Sequence, residues 1–315
     1  MTRGESAVRF RRRRGRATHL VAALMLPVFL VPFSSQASAT LDRIKETETF
    51  KIAFREDVRP FSFKNEAGEP AGYTVDLCRR IASDLKDKLA LGELKVEFVP
   101  VGTEDRFQAV AEGRADLLCG SSTATLGRRE TVSFSVPTFV TGVSALLRSS
   151  SPSFLKEVLA GRKPALPARS MILQAIKDRH FGVRAGTTAE AWLADNLRKL
   201  ATSATMVTVD SYDEGLDLLA KGDIDALFGD RALLVGLVAG SADPDDYLVA
   251  ERYFTYEHYA LAMSRGDEDF RLFVDRSLSR LYRSPDLRPI FAEHFGGASR
   301  IAQSLYLTNI NGLAE

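Results

Sequence analysis

The chain has 315 residues, 42 basic and 41 acidic side chains, a formal charge of +1 and two cysteines, with 45% hydrophobic residues. That length supports two substantial cores and exceeds the small modules held together by metals or disulfides. The near-neutral balance argues against a general affinity for nucleic acid or anionic membrane, and two cysteines without a CxxC pair exclude the usual zinc spacings.

The first 39 residues read as a secretory signal. Arg9, Arg11, Arg12, Arg13, Arg14 and Arg16 form a basic start, Leu20 to Phe33 an apolar run, and Ala37-Ser38-Ala39 a small-residue cleavage pattern. The run contains Pro27 and Pro32 and falls short of the roughly 20 residues that span a bilayer. This leader holds seven of the basic and one of the acidic residues, so 35 basic and 40 acidic remain and the exported part carries −5. Export places the protein in the periplasm, where a disulfide is permitted.

After the leader, Phe50–Phe54 reads as a strand, followed by a loop with Pro60, Gly68 and Pro70 and a helix from about Thr74. Lys95–Val99 (strand), Thr103–Glu112 (helix) and Ala115–Cys119 (strand) complete a β-α-β-α-β order, which calls for a mainly parallel sheet flanked by helices. Cys78 lies on the apolar face Val75, Cys78, Ala82, Leu85, Leu89, and Cys119 ends a strand. A bridge between them would contribute about 4 kcal/mol in the chain-entropy model; two packed thiols are the alternative.

Val143–Leu147 opens a second lobe of the same kind. Its elements are Phe181–Arg184 (strand), Thr188–Leu200 (helix), Met206–Val209 (strand), Tyr212–Lys221 (helix), Ile224–Phe228 (strand) and Asp230–Ala239 (helix). Thr187 with Glu190 and Ser211 with Glu214 form capping boxes. Residues 149–179, with prolines at 152, 164 and 167, look like an insertion carrying short helices at Phe154–Leu159 and Met171–Lys177. The chain then returns through Tyr259–Met263 to helices near Asp267–Tyr282 and Pro285–His294, and residues 298–315 form an extension. Lobe 1 is thus residues 40–139 completed by 258–297, lobe 2 is 140–257, and two crossovers form a hinge.

A repeated phrase supports two similar lobes. Ala111-Glu112-Gly113-Arg114-Ala115-Asp116-Leu117-Leu118-Cys119-Gly120 returns as Ala220-Lys221-Gly222-Asp223-Ile224-Asp225-Ala226-Leu227-Phe228-Gly229. In both copies a helix ends at a glycine and a short apolar strand follows. Ligands of open α/β sheets sit at the carboxyl ends of the strands. Arg55, Thr103, Arg106 and Ser121 to Arg128 reach that edge in one lobe, and Thr187, Thr188 and Asp230 in the other. Hydroxyls and cations on one side face a carboxylate on the other, the complement of an α-amino acid. Three arginines and one aspartate give +2, which suits two carboxylates and one ammonium. Phe54 and Phe61 are candidates for the cleft wall, although a strand-end phenylalanine is more often a core residue.

Ser121-x-Thr123-x4-Arg128, Gly186-Thr187-Thr188 and Gly229-Asp230 resemble the family 3 periplasmic solute-binding proteins of ABC transporters, over about residues 41–296. Cys119-Gly120-Ser121-x-Thr123, with Phe54-Arg55-Glu56 and Pro60-Phe61-Ser62, is most similar to the glutamate/aspartate-binding branch. The resemblance implies the two-lobed type II α/β fold and a ligand held by hinge closure. It also implies that Arg128 pairs with the α-carboxylate, helped by Ser121 and Thr123. Asp230 takes the ammonium, and Arg55 and Arg106 hold the side-chain carboxylate. Thr187 and Thr188 open a helix whose dipole favours an anion. Thr103 stands where that branch commonly has serine, and Tyr212 where it can have histidine. The implied partners are an amino acid and an ABC-transporter permease in the inner membrane, with a monomeric binder and no cofactor. A dehydratase-like enzyme acting on a cyclic dicarboxylate and a ligand-sensing subunit are the alternatives. Against catalysis, there is no GxSxG, P-loop or HExxH, and His180, His258 and His294 lack a nucleophile partner.

Overall fold

A computed structural model describes residues 38–160 and 168–296. In chain order the first elements are α1 (Ala39–Thr47), β1 (Thr49–Phe54), β2 (Asp57–Val58), β3 (Ser62–Lys64) and β4 (Pro70–Ala71). Next come α2 (Tyr73–Leu89), β5 (Lys95–Pro100), α3 (Arg106–Ala111), β6 (Leu117–Cys119) and β7 (Val132–Thr141). The chain then crosses to β8 (Val143–Arg148), α4 (Ser153–Ala160), α5 (Arg169–Ile176), β9 (His180–Arg184), α6 (Thr188–Leu200) and β10 (Thr205–Val209). It continues through α7 (Tyr212–Lys221), β11 (Ala226–Asp230), α8 (Arg231–Ala239) and β12 (Tyr247–Val249), and returns through β13 (Glu257–Ser264), α9 (Glu268–Arg283) and α10 (Leu287–Phe295).

Two five-stranded sheets share one plan. The first runs β5-β1-β6-β13-β7 and the second β10-β9-β11-β8-β12. In each, the first three strands are parallel and the fourth is antiparallel to both its neighbours, so four of five strands point one way. The reversed strand is the one that arrives from the other lobe: β8 enters the second sheet after β7, and β13 enters the first after β12. This is the two-lobed type II architecture with two crossovers. The crossovers lie against each other, because a Cβ on Gly142 would fall 1.9 Å from the Thr255 carbonyl oxygen. Only glycine tolerates that approach.

The repeated phrase maps onto the end of α3 with β6 and the end of α7 with β11. Gly113 and Gly222 both adopt positive φ, +72° and +85°, where glycine carries no steric cost. β6 and β11 sit at the centre of their sheets and are buried throughout. Behind the first sheet, Phe61, Tyr73, Phe139, Tyr259 and Phe295 pack mostly edge to face, with Phe61 4.9 Å from Phe139 and 5.1 Å from Tyr259. Phe54 meets the Phe98 ring edge-on at 5.8 Å. The wall candidates Phe54 and Phe61 are therefore core residues.

Several boundaries differ from the sequence reading. The helix expected from Thr103 starts at Arg106, because the Asp105 carboxylate accepts from the Gly102 N–H at 2.8 Å and holds a turn there. The loop around Pro60 and Gly68 contains the small antiparallel sheet β2-β3-β4, whose strands are too short to show a period. The leader boundary expected after Ala39 falls inside α1. Ser38 caps that helix by accepting from the Leu41 N–H and donates to Asp267 at 2.9 Å. Residues 1–37 of the leader, 161–167 of the insertion and the 298–315 extension lie outside the described residues. Among the described residues no helix is long and apolar enough to cross a membrane.

Cys78 and Cys119 are joined as a disulfide, tying α2 to the strand that leads into Ser121–Arg128. Replacing both by alanine should lower stability by about 4 kcal/mol and the melting temperature by on the order of 10 °C. Thermal denaturation with and without reductant checks this; a wild-type melting point indifferent to reduction would contradict it.

Candidate functional site

The strand ends converge as the topology requires. Arg55 follows β1, Thr103 and Arg106 follow β5, and Ser121, Thr123 and Arg128 follow β6. From the second lobe, Thr187 and Thr188 follow β9, Tyr212 follows β10, and Asp230 ends β11. All ten line one cavity between the lobes, together with Val58, Arg184 and Leu233. Its space, mouth included, is about 360 Å³.

The cavity is closed by contacts that run from lobe to lobe. Arg106 donates to the Gly186 carbonyl at 3.2 Å, and Arg184 forms a short ion pair with Asp57. The Tyr259 hydroxyl donates to Asp230, and the Thr188 hydroxyl to Glu257. Asp57 also accepts from Arg55 at 3.0 Å, so one carboxylate sits between two guanidinia. Arg55 donates further to the Thr103 hydroxyl at 2.8 Å. Arg128 is anchored by the Thr123 carbonyl at 2.8 Å. The Arg106 and Arg128 guanidinia lie 4.6 and 5.1 Å from the Phe107 ring centre, and Arg184 lies 5.5 Å from that of Tyr212.

Burial and crowding disfavour the charge on Arg106 and Arg55, and burial that on Arg128. Burial and then the neighbouring Arg128, Arg55 and Arg184 pull Arg106 down to about 9, which still leaves it protonated at neutral pH. Burial also lowers Arg55, with Arg184 adding to the effect and Asp57 opposing it. Arg128 is lowered by burial and partly restored by Glu257 and Asp230. Asp230 shows the converse: burial, reinforced by Glu257, raises it to about 7 despite the Tyr259 hydrogen bond and Arg128.

Several polar atoms here are buried without partners: Arg55 Nε, Arg184 Nε and Nη1, and Asp230 Oδ1. Such groups cost about 1–3 kcal/mol each, more when charged. The residues lining the cavity therefore include N–H groups needing an acceptor and a carboxylate oxygen needing a donor.

Sequence reasoning missed Arg184, Asp57, Glu257 and Tyr259. Arg184 ends a strand directly before Gly186-Thr187-Thr188, so its position was a usable signal. Glu257 and Tyr259 approach only because β13 returns from the other lobe, which no local pattern reveals. The charge count also changes. Four arginines against Asp57, Glu257 and Asp230 leave +1 with Asp230 ionised and +2 with it protonated, in place of +2 from three arginines and one aspartate. Thr187 lines the cavity, yet its hydroxyl donates to the Arg184 carbonyl at 2.7 Å and accepts from the Glu190 N–H at 3.2 Å as the α6 cap. Asp230 stands at the α8 cap position without making a cap bond.

A closed cleft between two lobes of this topology defines the two-lobed type II binding-protein class. The family described as "Bacterial extracellular solute-binding proteins, family 3" matches residues 50–297, and the chain belongs to it. It is 30% identical over 281 residues to the L-glutamate/L-aspartate-binding protein of Pseudomonas aeruginosa, covering 89% of this chain and 86% of that one. It is 27% identical to the glutamine-binding protein of Geobacillus stearothermophilus, covering 75% of this chain and 80% of that one. Among solved structures, the ancestral amino acid-binding protein AncCDT-1, a precursor of cyclohexadienyl dehydratase, shares the fold. It has a TM-score of 0.66 and 23% identity, covering 82% of this chain and all of that one.

The Asp230 carboxyl has a testable signature without any ligand. Its folded-state value of about 7 lies above the ordinary 3.8 of an aspartate, so the folded protein keeps a proton that the unfolded chain releases. Its contribution is fully favourable below about pH 4 and is lost as pH rises to 7, up to roughly 4 kcal/mol. Asp230→Asn should remove this fall from the stability of the ligand-free protein between pH 5 and pH 8. Urea unfolding at the two pH values checks it; equal slopes for wild type and variant would refute the assignment.

Proposed function

We propose that the protein is the periplasmic binding component of an amino-acid ABC transporter and that its ligand is an acidic amino acid, glutamate or aspartate. The observation that carries this reading is the polarity of the unpartnered buried atoms: guanidinium N–H groups of Arg55 and Arg184 that need an acceptor, and a carboxylate oxygen of Asp230 that needs a donor. In this reading Arg128 and Ser121, with the exposed N–H groups at the start of α6, bind the α-carboxylate. Asp230 takes the ammonium. Arg55, Arg106 and Arg184 hold the side-chain carboxylate, to which a guanidinium can offer two parallel N–H bonds.

Charge supports the same choice. With Asp230 ionised the cleft carries +1, which an acidic amino acid of charge −1 neutralises. A neutral amino acid leaves that charge buried, and a basic one raises it. The ammonium also stabilises ionised Asp230, so binding releases the proton the empty site retains. Charge-assisted hydrogen bonds contribute about 1.5–3 kcal/mol each, enough for micromolar or tighter affinity. Closure follows, because the ligand bridges residues of both lobes and only the closed form contacts all of them. The closed surface is what a permease in the inner membrane would recognise.

Titration calorimetry with glutamate, aspartate, glutamine and arginine tests the assignment. Wild type should prefer the acidic pair. Arg128→Ala should lose about a hundredfold or more for every amino acid, since the α-carboxylate is common to all. Arg106→Ala should weaken glutamate about tenfold or more while affecting glutamine less. An Arg128→Ala variant with undiminished affinity, or a wild type that prefers arginine, would overturn the reading.

A further inference from the structure

Glu257 opens β13 on the crossover between the lobes and is 8% exposed. Its carboxylate collects three threonine hydroxyls. Oε2 accepts from Thr123 Oγ1 and from Thr188 Oγ1, each at 2.7 Å, and Oε1 accepts from Thr255 Oγ1 at 2.8 Å. Thr123 belongs to the loop after β6, Thr188 opens α6 in the other lobe, and Thr255 lies on the crossover itself. Glu257 stands behind the cavity wall, whereas Thr123 and Thr188 are part of that wall.

A hydroxyl has one proton and two lone pairs, and a carboxylate only accepts. Thr123 and Thr188 therefore spend their single O–H on Glu257, and what each can turn toward the cavity is a lone pair. Without an acceptor behind them, the same hydroxyls could rotate and donate forward to an anion. We propose that Glu257 is a positioning residue that fixes the polarity of the Thr123 and Thr188 hydroxyls, so that both accept from the ligand ammonium beside Asp230. This rests on the reading of the cleft as an amino-acid site and changes one role within it. Thr123 becomes an ammonium acceptor, in place of the carboxylate donor that the sequence suggested. Because the two threonines come from different lobes and Glu257 from the crossover, this acceptor pair exists only when the cleft is closed.

The test compares each amino acid with the same molecule lacking its ammonium: L-glutamate with glutarate, L-aspartate with succinate, and L-glutamine with glutaramate. Affinities are measured by direct and displacement calorimetry on the full chain. Glu257→Met removes the acceptor at similar length and should cut the preference for the amino acid over its partner by about tenfold or more. Glu257→Gln loses the same charge, but its amide oxygen can still accept from both threonines, so the preference should stay within about threefold of wild type. A preference unchanged in Glu257→Met overturns the inference while leaving the amino-acid site intact. A Glu257→Gln preference that falls as far as in Glu257→Met overturns it in favour of a charge effect. If Glu257→Met does not fold, Thr188→Val decides: loss confined to the amino acid supports the proposal, and equal loss for both partners overturns it. A wild type that prefers none of the three amino acids over its partner removes the site reading and the inference together.

Discussion

Four guanidinia in one closed cleft, those of Arg55, Arg106 and Arg184 buried and that of Arg128 half-buried, are the constraint around which the rest of the molecule is arranged. At an effective dielectric constant near 20, two like charges 4 Å apart repel by about 4 kcal/mol, and burial removes the water that would otherwise screen them. Hydrophobic packing cannot offset such a cluster; opposite charge has to be brought to it. The chain brings three carboxylates of its own, Asp57, Glu257 and Asp230, and each comes from a different strand end. Closing the cleft around the arginines is possible only because these carboxylates arrive from both lobes and from the crossover.

The exchange of strands between the sheets makes that arrival possible. β8 and β13 each begin beside the cleft and run as the reversed strand of the sheet they enter, so the residues that start them are fixed by a five-stranded core. Glu257 is the first residue of β13. Tyr259, two residues on, has its ring in the aromatic cluster of the first lobe and its hydroxyl on Asp230 of the second. A strand that is rigid within its sheet can hold polar groups to tight tolerances. The contact of Gly142 with Thr255 keeps the two crossovers adjacent.

Much of this was legible in the sequence, for reasons that separate by range. Helix caps and strand ends are local: Thr187 and Ser211 accept from the Glu190 and Glu214 N–H groups as their spacing required. The acidic side chains of both boxes close one residue early, on the Gly186 and Asp210 N–H groups at 2.8 Å. The repeat disclosed two equivalent lobes, and the rule that ligands meet strand ends brought nine candidates to one edge; these and Tyr212, which the resemblance added, all line the cavity. What stayed hidden depends on the antiparallel strands. Asp57 lies on a two-residue strand, Glu257 on a crossover and Arg184 within an otherwise apolar strand end. For Asp57 and Glu257 nothing in the neighbours' spacing distinguishes them from solvated charges; only Arg184 had a signal, its place just ahead of Gly186-Thr187-Thr188. Their partners are distant in sequence, 127 residues for Arg184 with Asp57, 134 for Glu257 with Thr123 and 69 for Glu257 with Thr188.

The protein's own carboxylates also set the standard a ligand must meet. In the closed arrangement Asp57 answers Arg55 and Arg184, and Glu257 occupies the Thr123 and Thr188 hydroxyls. A weakly complementary solute would have to disturb these contacts and would gain little in return. The unmatched atoms are few and directional: Nε and Nη1 of Arg184, Nε of Arg55 and Oδ1 of Asp230. A ligand that offers acceptors to the first three and a donor to the last gains the full desolvation energy those atoms have forfeited. One that lacks either end leaves it forfeited. On the proposed reading, selectivity arises less from attraction to the arginines, which any anion feels, than from the small set of bonds left open once the internal carboxylates have taken theirs.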